Sequence, residues 1–328
     1  MFALCLVAGC DDDDLDLPEA PLDAGPDAAK PDAAVVADGG LDAGPNSKRI
    51  ELKFAARLTD KGELECGKAY AGQGTAGSEV TPKDFRFFVE SVKLKATTGE
   101  EVPLVFDDLT TGFQTKEVAL IDFTTTGGEC EGGPLGSNLS IKGSVPANLT
   151  YNGVKVVIGV PESLNHSDPV TAPAPLQAPG ASWDWVFGYR FLIAEVLATS
   201  QPDAGTHHGD ALDAGAHHSA GDAGGDHGGT DPGLGFVHLG STGCTKSGDV
   251  ISCINQNRAE FTLSSFDPDR DQIVADLGAV FQTADLSSVV QCHGMGASCA
   301  PMFGQLGVDI ATGKPSGVQK VFSVSSQR

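Results

Sequence analysis

The chain has 328 residues, 42 of them glycine and 19 proline, only 20% charged residues, and a formal net charge of -23 at pH 7. A polyanion would be repelled by that charge, and no basic stripe interrupts it, so nucleic acid is excluded as a natural partner. The length accommodates one or two globular domains with low-complexity appendages.

Residues 1–10 form a short apolar run that closes on Val7, Ala8, Gly9 and Cys10, after which Asp11 to Asp14 are all acidic. The pattern is that of a bacterial lipoprotein signal, with Cys10 as the acylated first residue anchoring an exported protein to a membrane, although no basic segment precedes the run. Residues 11–47 repeat units such as Leu22 to Pro26 and Leu41 to Pro45 with almost no apolar mass, and are read as a disordered acidic tether. Residues 48–328 then form one domain.

Within that domain the pattern is β. Ile50 to Leu58, Asp84 to Lys95, Glu117 to Phe123, Asn138 to Val145, Gly153 to Gly159, Gly188 to Leu197, Gly235 to Leu239, Ala259 to Leu263 and Gln319 to Val324 are short, rich in Val, Ile and Phe, and bounded by turn residues. Alternation is evident from Phe88 onward, as in a strand with one buried face. The best helical candidate is Asp271 to Gln282, which puts Ile273, Leu277 and Val280 on one face. The elements predict an all-β fold, an antiparallel β-sandwich, interrupted by a low-complexity His/Asp/Gly-rich insertion over residues 201–233. That insertion carries His207, His208, His217, His218 and His227, a composition suited to loose metal capture without fixed geometry.

With Cys5 lost and Cys10 lipidated, Cys66, Cys130, Cys244, Cys253, Cys292 and Cys299 remain, an even number suited to three bridges in an oxidising compartment. Short Gly/Ser-containing loops favour Cys244 with Cys253 and Cys292 with Cys299, which leaves Cys66 for Cys130. No Cys-x-x-Cys pair is present to argue for thiolate metal ligation.

Outside the insertion the histidines are His166, His238 and His293, and both tryptophans, Trp183 and Trp185, lie between the first two. Imidazole is the commonest side-chain ligand for copper and zinc, and indole is oxidisable, so the combination reads as a redox-metal site. Asp168 could ligate, or fix the tautomer of a liganding ring. Cys292, His293 and Met295 superficially suggest a blue-copper loop, but neighbouring residues on one tight loop rarely all face one ion, and His293 is set aside on that ground. No Gly-x-Ser-x-Gly or His-Glu-x-x-His motif occurs, and every mature cysteine has a plausible partner, so no enzyme is expected.

Asp84 to Val92, Val118 to Phe123, Val160 to His166, Trp183 to Phe191, His238 to Cys244 and the pair Asn257 and Arg258 occur in the order found in the MbnP-like proteins. The chain resembles that family from roughly Ile50 to Phe322, without the insertion. The resemblance implies a periplasmic or surface copper-binding protein whose partner, a dihaem cytochrome c peroxidase-like protein, oxidises a tryptophan to kynurenine. It also makes His166 and His238 the copper ligands, and Trp183 or Trp185 the modified residue beside the metal. A lone histidine is ordinarily a hydrogen-bonded structural residue, and it is the matched motifs that reverse this. The rival reading is a surface adhesion or carbohydrate-binding sandwich, since fold does not fix function.

Overall fold

Five consecutive residues, Phe85 to Val89, are buried, although a strand with one wet face would expose every second side chain. They belong to the longest strand among the described residues, and both of its faces are covered. The computed structural model describes residues 46–124, 130, 136–183, 187–199, 233–248, 250–294 and 296–326, all within one unit, Leu41–Arg328. The lipoprotein-like segment, all but the last two residues of the tether, all but the last residue of the insertion, Trp185 and Met295 lie outside the described residues, and Ser47 already belongs to the first strand.

In chain order the principal strands are β1 (Ser47–Arg57), β2 (Ser78–Ala96), β3 (Ala119–Asp122), β4 (Ser140–Pro146), β5 (Tyr151–Ile158), β6 (Leu192–Thr199), β7 (Leu234–Leu239), β8 (Thr242–Ser247), β9 (Val250–Asn255), β10 (Ala259–Ser264), β11 (Asp271–Asp276), β12 (Gln291–Cys292) and β13 (Phe322–Ser326). One sheet runs β13-β11-β1-β4 and ends on the short strand Val105–Phe106. The other runs β10-β5-β2-β6-β7-β12, and β3 also pairs along β2. β8 and β9 form a separate hairpin. Antiparallel pairing predominates, and the parallel pairs are β1 with β11 and β7 with β12. Each of the nine expected strands overlaps an observed one.

The two sheets meet through aromatic rings. Phe54 of β1 lies edge-on to Phe87 of β2 at 5.9 Å, Phe87 meets Phe322 of β13 at 5.6 Å, and Phe322 stacks on Phe261 of β10 at 4.2 Å. Each ring removes a large apolar surface from water, and the edge-on geometry adds quadrupole attraction. The disulfides join Cys66 to Cys130, Cys244 to Cys253 and Cys292 to Cys299, the pairing that loop size favours.

The helix expected over Asp271 to Gln282 is half strand. Asp271–Asp276 is β11, held between β1 and β13, and only Leu277–Phe281 is helical (α1). Ile273 and Ala275 fit a period of two as well as Ile273 and Leu277 fit a helix, an ambiguity that periodicity cannot settle in a short run. The boundary is set by Asp276, whose carboxylate accepts from the backbone N–H groups of Ala279 and Thr59. Because Phe87 contacts four other core rings, Phe87→Ala should cost about 3–5 kcal/mol, the usual loss for a buried aromatic. Urea denaturation would show it as a fall in midpoint at unchanged slope.

Candidate metal centre

The face of the second sheet that points away from the sandwich core carries a row of polar groups. Cross-strand register places Asp84 beside Glu195 and Arg86 beside Ile193, while Glu195 lies beside Phe236 and Ile193 beside His238. Directly paired residues point to the same side, so Asp84, Arg86, Glu195, Phe236 and His238 share one face. The segment between β5 and β6 closes over it. Tyr189 from that segment packs edge-on to Phe88, which buries the second face of β2.

Beneath this cover, Arg86 Nη2 is 2.8 Å from Asp84 Oδ2, with both side chains 6% exposed. Burial pushes the Asp84 carboxyl well above the usual carboxylate range, against the opposing pull of Arg86. His238 is the next polar group along the row. Its Nε2 is 2.7 Å from Glu195 Oε1. Burial pushes its pKa down to about 4 despite that hydrogen bond, and the Arg190 and His293 charges push the same way. Burial alone would raise the Glu195 carboxyl, but the His238 hydrogen bond and the neighbouring cationic groups outweigh it and hold the carboxyl low. Glu195 is therefore the ionised acceptor and Nε2–H the donor. That leaves the His238 Nδ1 lone pair buried, with no hydrogen-bond partner among the described residues.

Two rings flank this imidazole, and a third extends the group. Phe236 stacks on it at 4.6 Å, the His293 ring lies 5.2 Å away, and Trp183 meets His293 at 6.3 Å. The Arg190 guanidinium sits 5.7 Å over the Trp183 ring. Gly240 makes room for the indole: a Cβ there would lie 2.4 Å from Trp183 Cζ3. His293 reaches the group because β12 adds in parallel to β7, with Cys292 opposite Val237.

His166 follows a tight turn in which Asn165 N–H donates to the Pro161 carbonyl at 2.9 Å. Its Nε2 lies 3.2 Å from Asn165 Nδ2 and 3.4 Å from Cys253 Sγ. The buried Asn165 side chain also donates to Ser241 Oγ at 3.3 Å and accepts from Tyr189 N–H at 3.1 Å. The Asn165–His166 turn is thereby tied to the loop that follows His238. Asp168 is exposed, and its described side-chain bond closes a turn by accepting from Val170 N–H. Trp183 joins the group, and Trp185 lies outside the described residues.

Two residues of this centre are not among the site residues that the sequence points to. His293 was set aside with the blue-copper loop; the bridge from Cys292 to Cys299 does remove that thiolate, yet the imidazole itself stands beside His238. Glu195 carried a signal, as the one acidic residue in the apolar run Phe191 to Leu197, and a charge in a buried strand needs a partner.

The MbnP family model matches residues 47–295 of this chain. The chain belongs to the MbnP family. The solved structure of MbnP from Methylosinus trichosporium is 26% identical to it and superimposes with a TM-score of 0.69, covering 86% of this chain and 99% of that one. No curated protein matches.

The His238 pKa lies below its ordinary 6.5, so the unfolded chain takes up a proton before the folded one does as pH falls. The stability this ring contributes is complete above pH 6.5 and lost as pH falls toward about 4, amounting to about 3 kcal/mol at 1.36 kcal/mol per unit. Urea titrations of the metal-free protein should show a steeper loss between these limits for wild type than for His238→Gln. Equal slopes would contradict a neutral buried ring.

Proposed function

We propose that this MbnP-family protein is an exported copper-binding protein whose site is built on His238. The observation that carries the reading is the buried Nδ1 lone pair. A buried acceptor left unpaired costs about 1–3 kcal/mol, and a metal ion is the partner that relieves it. Neutral imidazole is the ligating form, and the carboxylate behind Nε2–H fixes the tautomer and raises the basicity of Nδ1. His166, brought in by the turn tied to Ser241, is the second ligand that the family resemblance implies. His293 stands at the same centre, beside His238.

Copper is favoured over zinc by the resemblance and by the oxidisable Trp183 in the same group. A dihaem peroxidase-like partner, with two peroxides as oxidant, would open the indole of Trp183 or Trp185 to N-formylkynurenine and two waters, and hydrolysis would release formate to leave kynurenine, whose amine and carbonyl add donors near the metal. The acidic chain suits docking to a basic surface on such a partner. A lipid on Cys10 would hold the protein at a membrane, and the histidines of the insertion would collect metal loosely beside the ordered site.

Replacing both His166 and His238 by Ala should abolish tight binding of one copper ion while leaving weak uptake by the insertion, and deleting residues 201–233 should do the reverse. Competition titration against a chromogenic chelator separates the two classes; tight binding that survives the double replacement refutes the assignment. Peptide mapping after treatment with the cognate dihaem protein and peroxide should place the kynurenine mass gain at Trp183 or Trp185. Intact tryptophans would remove the modification but leave the copper result standing.

A further inference from the structure

The Cys244–Cys253 bridge differs from the other two in where it sits. Cys130, Cys292 and Cys299 are buried at 3%, 1% and 1% exposure, so each of the other bridges has at least one sulfur sealed in the core. Cys244 and Cys253 are both half-buried, directly opposite each other on the β8–β9 hairpin, and that hairpin belongs to neither sheet. The hairpin does not need the bridge to hold its base. Asn257 Nδ2 donates to the Gly240 carbonyl at 2.8 Å and to Thr242 Oγ1 at 3.2 Å, and Ser241 Oγ donates to the Gln256 carbonyl at 3.3 Å. Opening the disulfide therefore frees two sulfurs on a framework that remains in place.

An imidazole faces those sulfurs. His166 Nε2 and the two Sγ atoms all lie within 4.8 Å of one another. In the oxidised protein the two sulfurs do not ligate, because a disulfide sulfur carries no charge and a thiolate is the ligand. Two thiolates and one imidazole around a single ion stand roughly 3.5–4 Å apart, given metal–sulfur and metal–nitrogen bonds near 2.3 and 2.0 Å. Small side-chain rotations cover that change.

We propose that Cys244, Cys253 and His166 form a reduction-gated site for a soft d10 cation, with Cu(I) preferred to Zn(II). Thiolates select soft ions, and three protein donors complete a trigonal Cu(I) site, whereas structural zinc takes four. Gating is a thiol–disulfide exchange: a dithiol reductant supplies two electrons and two protons, the S–S bond breaks to give two thiols, and the reductant becomes a disulfide. Cu(I) then displaces the two thiol protons as it binds. The reverse exchange, in which a disulfide oxidant takes the two electrons and becomes a dithiol, closes the bridge and ejects the ion. The proposal shares only His166 with the copper reading, and His238 and His293 remain at the first centre when that ring turns to the sulfurs.

The test uses the full chain, reduced stepwise with dithiothreitol and offered Cu(I) held by bicinchoninate. Alkylation and peptide mapping should show Cys244 and Cys253 labelled before the cysteines of either other bridge. The reduced protein should then take up one more Cu(I) per chain than the oxidised protein, with two sulfur scatterers in its copper X-ray absorption spectrum. In Cys244→Ala/Cys253→Ala that extra copper should vanish, and in His166→Ala it should be held roughly 10-fold or more weakly, with both sulfurs retained. Circular dichroism of each variant checks folding. An unchanged Cu(I) count on reduction, an extra ion that persists without the two cysteines, or prior opening of either other bridge would each overturn the proposal. If the oxidised protein binds no copper, the histidine centre fails, and the reduction-dependent ion is still counted by itself.

Discussion

Burial of β2 on both faces is the constraint from which the rest of the molecule follows. A long strand in the middle of the larger sheet presents Phe85 and Phe87 to the partner sheet, and this alone would give an ordinary sandwich with a solvated outer side. The outer side is instead closed by the β5–β6 segment, through Tyr189 on Phe88. Closing it traps whatever polar groups the outward positions carry. Those positions hold Asp84, Arg86, Glu195 and His238, so the cover converts an exposed row into a low-dielectric one in which every charge must be matched.

The matching is incomplete in an informative way. Asp84 and Arg86 satisfy part of each other's needs, and Glu195 satisfies one nitrogen of His238. The second nitrogen is left over. A purely structural histidine at this depth would be expected to satisfy both ring nitrogens, because the cost of leaving one bare exceeds the net worth of an ordinary hydrogen bond. Stability has been given up at this nitrogen, as at Asp84 Oδ1, Arg86 Nε and Asn257 Oδ1 among the described residues, and such places are where sites are found.

The sequence was most legible where one physical effect acts alone. Strand positions followed from Val, Ile and Phe between turn residues, and the disulfide pairing followed from loop size. It was least legible where two effects compete or where partners are remote. Ile273 to Val280 satisfies two periods at once, and only placement of Asp271–Asp276 between β1 and β13 decides for a strand. The pattern could not show why alternation breaks down before Phe88, since the second buried face comes from residues a hundred positions later. Within the site, His166, His238 and Trp183 stood out as rare side chains in matched motifs. Glu195 and His293 join them through strand register, and register is a property of pairing that no local window contains.

The β6–β7 ladder separates what may vary in this protein from what must not. Its open end is clasped by the bond from Ala198 N–H to the Gly233 carbonyl and by the pairing of Leu197 with Leu234. Its other end carries His238 opposite Ile193. Once the ends of a loop are clasped, the entropy of closing it grows only with the logarithm of its length. The histidine-rich stretch can therefore lengthen, shrink or change composition at little thermodynamic penalty, and the imidazole at the far end of the ladder does not register the difference. Such a hairpin lets a chain vary its sequence at one end without disturbing the polar row at the other.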